Sequence, residues 1–169
     1  MTVIRYCFFR RSLAADMFEI SENDIAIDAL REQMKDPGAG GYCVFEGRVR
    51  NENEGRMVER LEYEVYEPLA VKEGERVLEE AQQRFPYLLA FCVHRSGLLE
   101  IGDCAVWVGV AAAHRDEAFQ ACRYIIDEIK VRLPVWKKEH YAGGDSGWVN
   151  CERCASVLRQ SKDQNGKGS

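Results

Sequence analysis

Charged and apolar residues alternate strictly over residues 60–65, Arg-Leu-Glu-Tyr-Glu-Val. A period of two predicts a strand with one face in water and the other in the core. Over residues 116–133 the period lengthens. Phe119, Cys122, Ile125, Ile126 and Ile129 recur at mostly three- and four-residue steps, which puts all five on one face of a helix that Pro134 ends. Residues 68–85 predict a second helix, with Leu69, Val71, Val77, Leu78 and Ala81 set among charges and Pro86 closing it. A shorter helix over 25–34 follows the cap-forming stretch Ser21-Glu22-Asn23-Asp24 and stops at Asp36-Pro37-Gly38. Apolar runs predict strands over 17–20, 42–49, 88–94 and 104–112, with a short extended piece over 98–101 between the turns Ser96-Gly97 and Gly102-Asp103.

The strands over 42–49 and 60–65 are expected to form a hairpin across the polar loop 50–56. Residues 136–148, rich in cations and glycine and without an apolar period, are expected to form an ordered loop, and Trp107, Trp136 and Trp148 to be packing residues. Strands separated by helices, without a glycine-rich nucleotide loop, predict a mixed α+β single domain. Its expected extent is 17–155, between a disordered leader (1–16) and a disordered polar tail (156–169).

Composition narrows the function classes. A chain of 169 residues suits one domain. Its longest apolar run, residues 104–113, is too short to cross a bilayer, so no membrane association is expected. Twenty-three Lys and Arg against 28 Asp and Glu give a net charge of −5. That balance argues against a nucleic-acid partner needing a basic face, and any anionic ligand must be met by a local cluster. Seven cysteines, an odd number with several inside apolar runs, fit a reducing compartment. The short apolar run among Arg5, Arg10 and Arg11 lacks the length of a secretory signal, so the expected location is cytoplasmic.

Neither a phosphate-binding glycine loop nor a Gly-x-Ser-x-Gly elbow is present. The cations, however, are unevenly placed. Arg48 and Arg50 close one strand, His114 and Arg115 follow another, and Lys130, Arg132, Lys137, Lys138 and His140 crowd the end of the long helix. Lys130 and Arg132 could simply complement the helix dipole, an effect of roughly 0.3–1 kcal/mol. Lys137 and Lys138 lie beyond Pro134, where the dipole no longer accounts for them; they form either a solvated basic loop or a charge clamp. His114 and Arg115 at a helix start make an anion site or a surface pair. A rise of about 1.5 Å per residue separates His114 from Lys130 by roughly 24 Å. The two ends therefore serve different sites, or two chains of a symmetric dimer build composite ones. Cys151-Glu152-Arg153-Cys154, with His140 as a third ligand, has zinc or redox spacing but lacks the second cysteine pair of a structural zinc site; no metal is expected.

Taken in order, several segments resemble the large, catalytic subunit of molybdopterin synthase. They are Phe45-Glu46-Gly47-Arg48-Val49-Arg50-Asn51, Leu61-Glu62-Tyr63-Glu64-Val65-Tyr66, His94-Arg95-Ser96-Gly97 with Ile101-Gly102-Asp103, and His114-Arg115-Asp116-Glu117-Ala118-Phe119. The block from Asp127 through Lys130-Val131-Arg132-Leu133-Pro134-Val135-Trp136-Lys137-Lys138-Glu139 and the pair Trp148-Val149 complete the set. The resemblance covers about residues 17–153 and implies an α/β-hammerhead-like α+β fold built on antiparallel strands. It implies a homodimer in which each subunit binds a small ubiquitin-like sulfur carrier, making a heterotetramer, with no metal or organic cofactor. The carrier's C-terminal Gly-Gly thiocarboxylate would pass sulfur to cyclic pyranopterin monophosphate, two transfers building the dithiolene of molybdopterin.

By the same resemblance Lys130 and Lys137 are the catalytic residues, Lys130 at the carrier's terminal glycine and Lys137 beside the reacting centre. Arg50, His114 and Arg115 would hold phosphate and pterin, Lys138 would add a substrate contact, and Phe45 would line the channel. Arg153 is the candidate for an arginine that the family places after its Trp-Val pair, although here it stands further along the chain than that pattern has it.

Overall fold

A computed structural model describes residues 15–144 and 146–149. The leader through residue 14 and the tail from residue 150, with Cys151, Arg153 and Cys154, lie outside the described residues. In chain order the elements are β1 (Met17–Ser21), α1 (Ile27–Gln33), β2 (Gly41–Arg48), β3 (Glu52–Asn53), β4 (Arg56–Val65) and α2 (Glu67–Arg84). β5 (Tyr87–Arg95), β6 (Gly97–Glu100), β7 (Cys104–Ala112), α3 (Arg115–Arg132), β8 (Val135–Tyr141) and β9 (Ser146–Val149) follow. The fold is α+β, and no described helix is long and apolar enough to cross a membrane.

The first sheet runs β1-β5-β7-β2. β5 and β7 lie at its centre, which is why both read as nearly continuous apolar runs: side chains on both of their faces need cover. On one face Cys92, Val106, Val108 and Val110 meet Val77 and Leu78 of α2 and Ile125 and Ile129 of α3. On the other face Phe91, Val93 and Trp107 meet Leu30 and Met34 around α1. α2 approaches β1 closely because position 74 is glycine; a Cβ there would stand 2.3 Å from the Phe18 ring.

The second sheet runs β3-β4-β8-β9, with β6 along the other part of the β4 edge. It joins the first around Val49, Val58, Leu61, Leu99 and Ala105. Strands pair antiparallel except β1 with β5, which are parallel. The three helices fall within a few residues of their predicted ranges.

Three expectations are corrected. β2 and β4 are not hairpin partners: β2 lies along β7, with Phe45 opposite Val108, whereas β4 pairs with β8 and β6. The polar stretch makes its own small hairpin instead, β3 against the start of β4, turning through Glu54 and Gly55 at φ 50 and 78°. Residues 136–148 are not a loop, because β8 and β9 occupy most of them. The alternation is present in β8, but its inward face carries Lys137 and Glu139 between Val135 and Tyr141, and a half-buried ion pair disguises the apolar period. Trp107 is fully buried, while Trp136 and Trp148 are about half exposed.

Candidate active site

The two sheets and α3 leave a cavity of about 270 Å³ where they meet, and three cations line it: Arg50, Lys130 and Lys137. Each arrives from a different part of the chain. Arg50 follows Val49, which is buried and held by backbone hydrogen bonds with the 102–103 turn: its N–H donates to the Asp103 carbonyl (3.0 Å), and its own carbonyl accepts from Gly102 (2.9 Å). Lys130 stands one turn beyond Ile126 on α3, the helix packed on β2 and β7. Lys137 is on β8, directly opposite Tyr63 of β4. A strand and a helix packed on a sheet hold the two lysines more firmly than a loop would.

Behind Lys137 stands Glu139, which is 2% exposed. Its carboxylate accepts from Lys137 Nζ (2.7 Å), Tyr141 Oη (2.6 Å) and Asn53 Nδ2 (3.0 Å). Burial alone would raise this carboxyl group's pKa, but the Lys137, Tyr141 and Asn53 contacts outweigh it and hold the pKa below the usual range. Glu139 does not itself line the cavity; it anchors one of the cations that do.

Opposite, His94 of β5 also faces the cavity. Its ring meets Tyr63 edge-on, with centroids 5.2 Å apart, and Nδ1 lies 2.7 Å from the Arg95 carbonyl. Burial pushes the imidazole pKa down, and the backbone hydrogen bond offsets only part of that. Sequence reasoning assigned no role to His94, Tyr63 or Glu139, although His94, Tyr63 and Glu139 all lie inside segments that carry the family resemblance. An available signal was chemical type: His94 is an ionisable residue that directly follows the apolar run Leu88–Val93 in a buried strand.

A second cavity, about 300 Å³, adjoins the first and shares Ile126 and Lys130 with it; Phe45, Phe119 and Cys122 are among its other walls. Lys130 Nζ stands 5.8 Å from the Phe45 ring centroid, a cation–π contact that places this amine where the two cavities join.

The other candidates lie elsewhere. His114 stands at the N-cap position of α3 without a side-chain capping hydrogen bond, and Arg115 begins the helix; both are exposed and line neither cavity. That end is fixed against β2, since a Cβ on Gly41 would come within 2.9 Å of the Arg115 backbone. Lys138 is on the opposite face of β8 from Lys137, 3.7 Å from Glu62 and with Nζ 5.5 Å from the Trp148 ring centroid. His140 shares that face, 3.3 Å from Glu62. Arg132, grouped with Lys130 by sequence, points away to α2 and pairs with Glu73 (3.0 Å) and Glu80 (2.7 Å). Among the described residues no cluster of three or more His, Cys, Asp or Glu could hold a metal ion.

A pocket lined by three cations, with no carboxylate among its lining residues, suits anionic ligands. Residues 20–132 match the family described as MoaE protein. The molybdopterin synthase catalytic subunit of Pyrococcus abyssi is 44% identical over 136 residues, covering 80% of this chain and 91% of the relative. That of Synechococcus elongatus is 42% identical over 149 residues, 88% of this chain and 90% of the relative. Among solved structures, molybdopterin synthase from Staphylococcus aureus has a TM-score of 0.74 at 38% identity, over 79% of this chain and 96% of that one.

Proposed function

This chain belongs to the MoaE protein family, and we infer that it works as a catalytic subunit of molybdopterin synthase, a sulfur-transferring enzyme of molybdenum cofactor biosynthesis. The sulfur donor is the C-terminal thiocarboxylate of a small ubiquitin-like carrier subunit, the acceptor is cyclic pyranopterin monophosphate, and the reaction runs in the cytoplasm. The observation that carries this assignment of substrates is the convergence of Arg50, Lys130 and Lys137 on one cavity in a chain of net charge −5.

Thiocarboxylate and phosphate repel each other. At 4 Å and an effective dielectric constant near 20, each pair of unit charges costs about 4 kcal/mol. Cations already fixed in place offset that cost without reorganising during the reaction. Lys130, at the junction of the two cavities, meets the carrier's terminal glycine. Lys137 stabilises charge at the reacting centre and donates a proton to the departing oxygen. Arg50 holds the phosphate, and Phe45 lines the path by which the carrier's tail enters.

His114 and Arg115 stand about 24 Å from Lys130 along α3, so they join the site from the second subunit of a homodimer, and two carriers complete a heterotetramer. The test mixes the chain with thiocarboxylated carrier and cyclic pyranopterin monophosphate and measures dithiolene formation. Wild-type chain forms product, and Lys130→Ala forms almost none while its oligomeric state is unchanged. Normal turnover by Lys130→Ala refutes the assignment of Lys130.

A further inference from the structure

Sulfur transfer sets a chemical demand that the cations do not meet. A thiocarboxylate that gives up its sulfur exchanges a C–S bond for a C–O bond at the carrier's terminal carbonyl carbon, and water is the source of that oxygen. Once the sulfur has bonded to the pterin, carrier and pterin are joined through a C(=O)–S link. Hydrolysing that link requires a water molecule to lose a proton as it attacks. Arg50 and Lys130, as cations, hold anions and take up no proton, and Lys137 is committed to the proton it gives the departing oxygen.

His94 is built differently. A carbonyl oxygen only accepts, so the 2.7 Å contact with the Arg95 carbonyl places the ring proton on Nδ1 and leaves the Nε2 lone pair free. The edge-on contact with Tyr63, at an interplanar angle of 86°, fixes the ring plane. The groups that share its cavity are Arg50 after β2, Tyr63 on β4, Lys130 on α3 and Lys137 on β8, with apolar Val106 from β7. Burial disfavours a charged imidazole and the Arg95 hydrogen bond offsets only part of that, so the pKa lies below its ordinary value and the ring is neutral at pH 7.

We propose that His94 is the general base for hydrolysis of the acyl–sulfur link, its Nε2 taking a proton from the attacking water in the cavity shared with Lys130 and Lys137. The water oxygen bonds to the carrier's acyl carbon, and the C–S bond breaks. Its electron pair leaves with sulfur as a thiolate facing the cations. The imidazolium passes its proton to that sulfur, the carrier's new carboxyl group releases its own proton, and the carrier departs as a carboxylate. This inference rests on the sulfur-transfer reading above.

The experiment is a quenched single turnover of the chain with thiocarboxylated carrier and cyclic pyranopterin monophosphate in oxygen-18 water, followed by intact mass spectrometry. Wild type releases carrier bearing one heavy oxygen. His94→Gln forms the carrier–pterin adduct but hydrolyses it about 10²–10⁴-fold more slowly, so the adduct accumulates. In wild type, adduct decay falls about tenfold per pH unit below the imidazole pKa, and His94→Gln loses that acid limb. Adduct decay at the wild-type rate in folded His94→Gln overturns the proposal. So does wild-type decay without an acid limb, or carrier released without label, and these two results decide the matter even if the variant does not fold. Failure of wild type to transfer any sulfur is a separate result, which refutes the sulfur-transfer reading and this inference with it.

Discussion

Glu139→Gln frees the Lys137 amine with almost no change in volume. The carboxylate now accepts from Lys137 at 2.7 Å through one oxygen and from Tyr141 and Asn53 at 2.6 and 3.0 Å through the other. An amide retains one acceptor, which continues to serve Tyr141 and Asn53, while its NH2 group faces the ammonium of Lys137, donor against donor. Lys137 is therefore released. A lysine side chain carries about 2 kcal/mol of rotamer entropy. At about 1.4 kcal/mol per factor of ten, that freedom lowers the population of the productive position by up to about 30-fold. Removing the amine altogether, as in Lys137→Ala, deletes a preorganised charge and costs about 10²–10³ in rate. The double variant loses no more than Lys137→Ala, because Glu139 acts through Lys137.

The lost charge-assisted hydrogen bond costs at most about 1.5–3 kcal/mol of stability, and less here because the Lys137 side chain is 24% exposed and finds water. The assay is single-turnover dithiolene formation with saturating carrier and pterin, at a temperature where circular dichroism shows every variant folded. Wild-type turnover by Glu139→Gln, or losses that multiply in the double variant, would refute the anchoring role.

Three other outcomes are expected. If His114 acts across the dimer, His114→Ala and Lys130→Ala are each inactive, but allowing their subunits to reassort restores about one quarter of the sites, since half the dimers are mixed and each has one intact site; no recovery would place His114 in its own subunit's site. Gly74→Ala should be less stable in urea despite a helix-propensity gain of about 1 kcal/mol, because its Cβ meets the Phe18 ring at 2.3 Å and overpacking costs about 1–3 kcal/mol; a more stable variant would contradict the packing. Glu80, through its hydrogen bond from Arg132, and Glu139 both have pKa values held below the ordinary carboxyl range. The stability they supply is present above the unfolded value near 4.3 and is lost as pH falls through the folded values, so the Tm should drop as the pH is taken below about 4.3, and drop less in Glu139→Gln.

The helices and the central strands were legible because a single physical demand, burial of one face or of both, writes their period into the sequence. α3 shows it plainly: Cys122, Ile125, Ile126 and Ile129 are the residues that meet the first sheet. Pairing is another matter. Nothing local distinguishes β2 as a partner of β7 from β2 as a partner of β4, since the choice depends on which strand needs cover on both faces. β8 escaped for a third reason. Its inward positions hold a buried glutamate and a lysine that pairs with it and lines the cavity at 24% exposure, so that stretch of the inward face needs no apolar residue.

The candidate site follows the same division. Sequence could place Lys130 and Arg132 at one helix end but could not separate them, since two residues along a helix turn a side chain by about 200°. That rotation sends Arg132 to Glu73 and Glu80 of α2 and leaves Lys130 at the junction of the cavities. Lys137 and Lys138 divide in the same way by the period of a strand, one facing Tyr63 across the pair and His94 across the cavity, the other facing Glu62. An acidic chain thus assembles a positive pocket through geometry: several neighbouring cations are matched to carboxylates on other faces, and Arg50, Lys130 and Lys137 are turned toward one space. The imidazole in that space is neutral because it is buried, which keeps its pKa down and leaves it able to take a proton.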